Sequence, residues 1–410
     1  MNRNPHHRFR TRRRLIGALG AGAVFGNPGV ARLAAAADSY TLPFANGQRP
    51  LLPYPQKRPL IVLTARPPQL ETPWEVFSEG VVTPNDAFFV RYHLAGVPTS
   101  IDPSTFRVTV RGKVATPLTL TLADLRQMDA VEYYAVNQCS GNSRGFFEPR
   151  VAGGQLGNGA MGNAKWRGVT LKSVLAKAGV QTGARQVKFD GLDVPVLATT
   201  PDFVKSLDVD HAMDGEVMLA YAMNDADLPM LNGYPVRLIV PGWYGTYWVK
   251  HLTEITVLEG VLNDFWMSTA YRIPDNACAC VPAGSAPAQT VPINRFDVRS
   301  FVTSVRDGGS VPAGTPFTLR GIAFDGGYGI RDVSVSADGG RTWTSAALAR
   351  DLGKYSFREW TLPVTLAAGP HVLMARATSN GGKTQPMDPL WNPAGYMRNV
   401  VEKTRVTAAA

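Results

Sequence analysis

Cysteine is scarce: the 410 residues include only Cys139, Cys278 and Cys280. That excludes a disulfide scaffold, which needs many paired cysteines. No C-x-x-C-H occurs, so the chain carries no c-type haem of its own. Histidine is nearly as sparse. His6, His7, His93, His211, His251 and His371 fall in no catalytic signature and no zinc-ligand spacing. Flavin and nicotinamide fingerprints are missing, as are internal repeats of ~20–50 residues. No basic stripe interleaved with aromatics is present, which argues against nucleic-acid binding. Beyond the N-terminal segment, no apolar run approaches the ~18–20 residues a membrane span requires.

What is present describes an exported, β-rich globular protein. Hydrophobic residues are 45% and charged residues 18%, the balance of a soluble globular chain. The 40 Gly and 31 Pro predict many turns and short strands. The formal charge is +10, but residues 1–37 hold seven arginines and no acid, which leaves +3 for the remainder. "TRRRLIGALGAGAVFG" pairs a basic start with an apolar run, and "LAAAAD" offers small residues for cleavage after Ala37. The Thr-Arg-Arg-x-Leu-Ile pattern predicts a twin-arginine signal over 1–37 and periplasmic export of a folded protein.

The proline-rich stretch 38–80 reads as an extended arm. From Thr83 the pattern is mixed. "STFRVTVRGKV" alternates, with Phe106, Val108 and Val110 on one face. "TLADLRQM" is a helix start capped by Thr121. "VTLKSVLAKAGV" is an amphipathic helix with Leu171, Val174, Leu175 and Ala178 inward and Gly179 at its end. "VEYYAVNQ", "VKFDGLD", "EVMLAYAMN", "YPVRLIVPG" and "WVKHLTEITVLEG" are strands. A Pro/Ala/Gly linker follows at 280–292. Short alternating strands with Gly-rich turns then predict a seven-strand immunoglobulin-like sandwich.

Cys139 sits in "YYAVNQCSGNSRGFFEP", where a strand runs into a small-residue turn. A thiolate near an arginine is a soft-metal ligand or a nucleophile; the alternative is a buried, inert cysteine. Cys278 and Cys280 stand too close in sequence for a relaxed disulfide, which leaves free thiols or a strained bridge.

Three ordered blocks resemble the sulfite oxidase family of molybdenum enzymes. They are "TPNDAFFVRYHL" at 83–94, "QCSGNSRGFFEPRVAGGQLGNGAMGNAKWRGVTLKSVLAKAG" from Gln138, and "LAYAMNDADLPMLNGYPVRLIVPGWYGTYWVKHL" at 219–252. The likeness runs from about 80 to 405, and the exported bacterial sulfite dehydrogenases are its nearest branch. It implies an α+β fold: a molybdopterin-binding catalytic domain over 38–285, then an all-β immunoglobulin-like sandwich over 286–410. It implies a molybdenum–molybdopterin cofactor with Cys139 as the metal ligand. Arg91 matches the arginine at the substrate oxyanion, where its planar fork suits sulfite. Tyr271 matches the active-site tyrosine, and Arg144 a second arginine near the metal. Tyr92, His93, Asp193, Arg237 and Lys250 match cofactor contacts. Asn232 stands before Gly-Tyr-Pro where vertebrate members have histidine before Gly-Phe-Pro. Trp266 is read as a pocket wall or core residue, and Arg358 as near the site or on the surface.

The activity implied is oxidation of sulfite to sulfate, with electrons passed to a c-type cytochrome. A homodimer or a heterodimer with a cytochrome subunit is the expected assembly. The runner-up is a sulfur dehydrogenase subunit acting on carrier-bound sulfur. A methionine-sulfoxide-type reductase fits less well, because it lacks the C-terminal sandwich. A non-catalytic exported interaction protein is the reading from a different class; molybdenum content separates it.

Overall fold

In the computed structural model, residues 38–409 are described; the expected signal segment 1–37 lies outside them. The residues read as an extended arm instead form strands. Ser39–Thr41, Gln48–Tyr54, Lys57–Thr64, Gln69–Glu71 and Val90–Arg91 pair in that order as a five-stranded antiparallel sheet. Proline misled the reading because its ring is tolerated at bulges and sheet edges. This sheet delivers Arg91, whose register partner is Gln69.

Two further sheets frame the expected catalytic part. One runs Lys205–Asp208, Gln186–Gly191, Leu252–Leu258, Arg107–Gly112, Leu118–Thr121, with one parallel pairing between Leu252–Leu258 and Arg107–Gly112. The other runs Ala226–Asp227, Met218–Met223, Met161–Thr170, Ala130–Gln138, and Arg237–Ile239 also pairs with Met218–Met223. Helices are few and short. Leu122–Gln127 begins with a full capping box between Thr121 and Asp124. Leu171–Ala178 buries the four residues its spacing predicts and ends at Gly179, whose φ of 70° is the left-handed stop. The α+β expectation therefore holds as a mostly β arrangement with minor helices.

The C-terminal part has two sheets of four and five strands around a shared apolar core. It contains nine strands rather than seven; the additional count includes two-residue strands at Thr344–Ser345 and Ala347–Leu348. The stretch 280–292 is not an open linker. Thr290–Pro292 pairs with Arg272–Pro274 across the expected boundary. Phe296, Phe301, Phe324 and Phe357 join the same buried cluster as Trp166 and Trp248 of the catalytic part. Cys278 and Cys280 are bonded to each other at a Cα separation of 5.1 Å, within the ordinary range for a disulfide. Among the described residues, no helix is long and apolar enough to cross a membrane.

Candidate active site

Cys139 follows directly on the strand Ala130–Gln138. Its N–H donates to Ala160 O at 2.9 Å, so it extends the ladder that pairs Gln138 with Met161. The chain then turns through Ser143, at φ 71°, into a short 3-10 helix, Arg144–Phe146. A non-glycine residue held in that region marks a backbone fixed by its surroundings. The thiol is buried and is the one cysteine not in a disulfide.

Cys139 lines a cavity with Arg91, His93, Asn232, Arg237, Lys250 and Tyr271, all expected from the sequence. These residues come from separate elements: the end of the first sheet, the 3-10 helix Met230–Asn232, the strand Arg237–Ile239, the turn before Leu252–Leu258, and the link between the short helix Phe265–Ser268 and the strand Arg272–Pro274. Lys250 Nζ donates to Arg91 O at 2.8 Å and lies 4.2 Å from the centre of the Tyr92 ring. Arg237 is fully enclosed between the Trp166 and Trp248 rings and donates to Asn232 O (2.8 Å) and Trp248 O (3.1 Å). Tyr271 holds φ 59°, and its backbone carbonyl accepts from Ile293 N at 2.8 Å. Its hydroxyl is hydrogen-bonded to His93 Nε2, and the His93 ring stacks on Phe203 at 3.6 Å.

The cavity lining carries three cations, Arg91, Arg237 and Lys250, and no carboxylate. Burial, with Arg237 adding to it, pushes the Lys250 ammonium down to about 7. Burial likewise lowers Lys57, behind Asn232, to about 7. It brings Arg237 down to about 10. His93 is held neutral by burial, then by Arg91, Lys250 and Lys205. Burial raises the Tyr271 phenol above its ordinary value, so it stays a protonated donor. Such a site is built for an anion.

Other expected residues stand behind the lining. Tyr92 is fully buried, with its hydroxyl 2.7 Å from His251 Nε2. His251 Nδ1 donates to Tyr234 O at 2.6 Å, which makes Nε2 the acceptor. Asp193 is buried within electrostatic reach of Lys250 and Arg91. Arg144 donates to Ala394 O at 3.1 Å and lies 4.9 Å over the Tyr396 ring, which stacks on Tyr271 at 5.3 Å. Trp266 packs edge-on against His93 at 5.0 Å, a wall of this aromatic cluster. Arg358 pairs with Asp351 at 3.0 Å, away from the cavity lining. Asn232 uses its amide within the protein, accepting from Lys57 Nζ and donating to Phe89 O at 3.1 Å.

Sequence reasoning missed Asn137, Ser140 and Thr246, which also line the cavity. Asn137 Oδ1, Ser140 Oγ, Thr246 Oγ1 and Arg237 Nε are buried without a hydrogen-bond partner. Each such atom costs ~1–3 kcal/mol, so a cluster of them marks a ligand's place. The signal in the sequence was the small polar residue beside Cys139 and the Gly-Thr of "WYGTYW". Gly245 is required there, since a Cβ would lie 2.3 Å from Asn137 Oδ1. Lys205 was missed too; it is buried with Nζ 5.2 Å from the Tyr271 ring centre, donating to Trp266 O at 2.6 Å.

Residues 93–266 match the oxidoreductase molybdopterin binding domain, and 290–409 match the Mo-co oxidoreductase dimerisation domain. The sulfite oxidase of Gallus gallus is 34% identical over 86% of this chain and 79% of its own length. Mitochondrial sulfite oxidase of Homo sapiens is 35% identical over 86% of this chain and 66% of its own length.

The chain belongs to the sulfite oxidase family.

It spans about two thirds of the length of the mitochondrial relatives. The fold is also that of the sulfane dehydrogenase SoxCD of Paracoccus pantotrophus, with a TM-score of 0.70, 23% identity and 92% coverage of both chains. Among the described residues, no cluster of three or more His, Cys, Asp or Glu could hold a metal alone. The cavity fits the molybdenum–molybdopterin group: one thiol for a soft metal, cationic donors for a phosphate, and unpartnered amide and hydroxyl groups for a polar ring system.

Proposed function

We propose that this protein oxidises sulfite to sulfate in the periplasm, after twin-arginine export, and passes the electrons to a c-type cytochrome. The observation that carries the reading is the single free thiol, Cys139, in a cationic cavity with Arg91 and Tyr271. The identity of 34–35% to sulfite oxidases supports free sulfite as the substrate. The sulfane dehydrogenase shares the fold at lower identity.

The overall change is sulfite plus water to sulfate, two electrons and two protons. When bound, molybdenum–molybdopterin supplies the two-electron oxidation and oxygen transfer that side chains lack. Cys139 would hold the metal as a thiolate. Arg237, Lys250 and Asn137 would hold the pterin and its phosphate, with Lys57 and Asn232 supporting Arg237 from behind. Arg91 offers its fork to the sulfite oxyanion and draws the divalent substrate in. The Tyr271 hydroxyl, oriented by His93, donates a hydrogen bond to the substrate or departing sulfate. Phe203 and Trp266 back His93, so the polar pair is fixed in a dry wall. Arg144 acts through Tyr396 rather than on the substrate.

Each sulfite delivers its two electrons to one-electron carriers in two steps. Val194, Val196 and Leu197 are exposed on the loop that carries Asp193 and offer an apolar contact for the cytochrome. The test is sulfite-dependent reduction of oxidised cytochrome c without oxygen, alongside an assay with oxygen as the only acceptor. Sustained turnover with cytochrome c is expected. Turnover with oxygen alone, and none with any cytochrome c, overturns the assignment of the acceptor.

A further inference from the structure

Glu71 is completely buried, yet it forms no ion pair among the described residues. Its carboxylate instead accepts two backbone N–H groups, Gly157 to Oε1 at 3.0 Å and Gly159 to Oε2 at 3.2 Å. Thr72 N adds a third tie, donating to Gly159 O at 3.0 Å. The held segment is the wall against which the thiol loop rests. Gly157 O accepts from Ser143 N (2.6 Å), and Ala160 O accepts from Cys139 N (2.9 Å). Ala160 N in turn donates to Asn142 Oδ1 at 3.0 Å. The loop carrying Cys139 is thus fastened to 157–160, and 157–160 is fastened to Glu71.

Glu71 ends the three-residue strand whose first residue, Gln69, is the register partner of Arg91. One strand therefore fixes two parts of the site, the arginine at one end and the thiol loop at the other. Gly159 leaves no slack, because a Cβ there would meet Thr72 O at 2.2 Å. A neutral amide could not replace the carboxylate, since its NH2 would face a backbone N–H.

We infer that Glu71 is a positioning residue for Cys139, and that the strand Gln69–Glu71 is a strut setting the thiol relative to Arg91. The inference rests on Cys139 being the metal ligand of the proposed reaction. A variant that loosens the strut leaves Cys139 present but poorly held, so the metal is loaded less completely and the thiol becomes more reactive.

The test uses the cofactor-free full chain. Cys139 is its only cysteine outside a disulfide, so iodoacetamide labelling followed by mass spectrometry reads that thiol alone. Glu71→Gln is expected to speed labelling by ~10-fold, the consequence of leaving a buried backbone N–H facing an amide NH2 instead of an acceptor. Near-UV circular dichroism checks that the variant is folded, and molybdenum content after loading should fall. A folded variant that labels at the wild-type rate and loads fully overturns the inference. If Glu71→Gln does not fold, hydrogen exchange on the wild-type protein decides. The Gly157 and Gly159 amides should be as protected as those of Cys139 and Ala160, and free exchange at both glycines would overturn the strut. Labelling needs no substrate. A wild-type enzyme inert to sulfite would therefore remove the proposed reaction while leaving this result to stand or fall alone.

Discussion

At the scale of single residues, the site is defined by cations that burial disfavours. Arg91 presents a planar fork, and Arg91→Gln removes it. A charge-assisted bond of this type is worth roughly 1.5–3 kcal/mol, so kcat/KM for sulfite should fall about 10–150-fold. Arg91→Lys should also lose activity, because the charge stays and the fork goes. Wild-type kcat/KM in both variants would remove Arg91 from the substrate. Lys57, Lys205 and Lys250 give a second prediction through pH. Each is lowered from 10.5 to about 7, with burial the first cause. Between pH 7 and 10.5 the unfolded chain holds those protons and the folded chain does not, so stability rises with pH across that window. Glu71 acts below it. Burial raises it from 4.5 to about 7, so the folded chain alone holds that proton from 4.5 to 7 and stability falls as pH rises. Buried His93 and His251, lowered in the folded chain, oppose Glu71 below pH 7, so the readable window is the lysine one: thermal unfolding of the cofactor-free protein should show Tm rising from pH 7 toward pH 9. A steady fall in Tm from pH 7 to 9 would contradict the assignment of these buried lysines.

At the scale of elements, the turns matter more than the strands. Gly233 has φ 106°, and a Cβ there would meet Arg237 Cβ at 3.0 Å and Lys250 Cβ at 3.1 Å. Gly233→Ala should cost at least about 1 kcal/mol in stability and displace both cations. The measurable result is a lower Tm with reduced molybdenum loading; unchanged loading would show that the cations do not hold the cofactor. Much of the element pattern was legible in the sequence. The helix Leu171–Ala178 and the strand Arg107–Gly112 announce themselves through apolar spacing, and Gly179 through its position. The first sheet was not legible, because proline suppresses strand signals that long-range pairing restores. Cys139, Arg91 and Tyr271 were legible through resemblance to a family, since chemistry-bearing motifs persist locally. Asn137, Thr246, Lys205 and Glu71 were not. Their roles come from what distant segments bring beside them, and nothing local distinguishes them from ordinary polar residues.

At the scale of the whole molecule, the C-terminal sheets and the catalytic part are one packed body. Arg299, buried on the strand Arg299–Val302, donates to Gln138 Oε1 (3.2 Å) and Ser143 Oγ (3.0 Å), and pairs with Glu402 at 3.3 Å. The residues flanking Cys139 are therefore held from the C-terminal side as well as by Glu71. The chain beyond residue 37 carries a formal charge of only +3, so attraction of a divalent anion comes from the cavity rather than from a global field. The central claim is that a cofactor seated at Cys139 takes two electrons from sulfite. The most direct measurement mixes molybdenum-loaded oxidised protein with excess sulfite, anaerobically and without an acceptor, and counts sulfate against molybdenum. One sulfate per molybdenum is predicted for the wild-type protein and none for a folded Cys139→Ser variant; a fully loaded wild-type protein that forms no sulfate, or a Cys139→Ser variant that forms it equally well, would contradict the account.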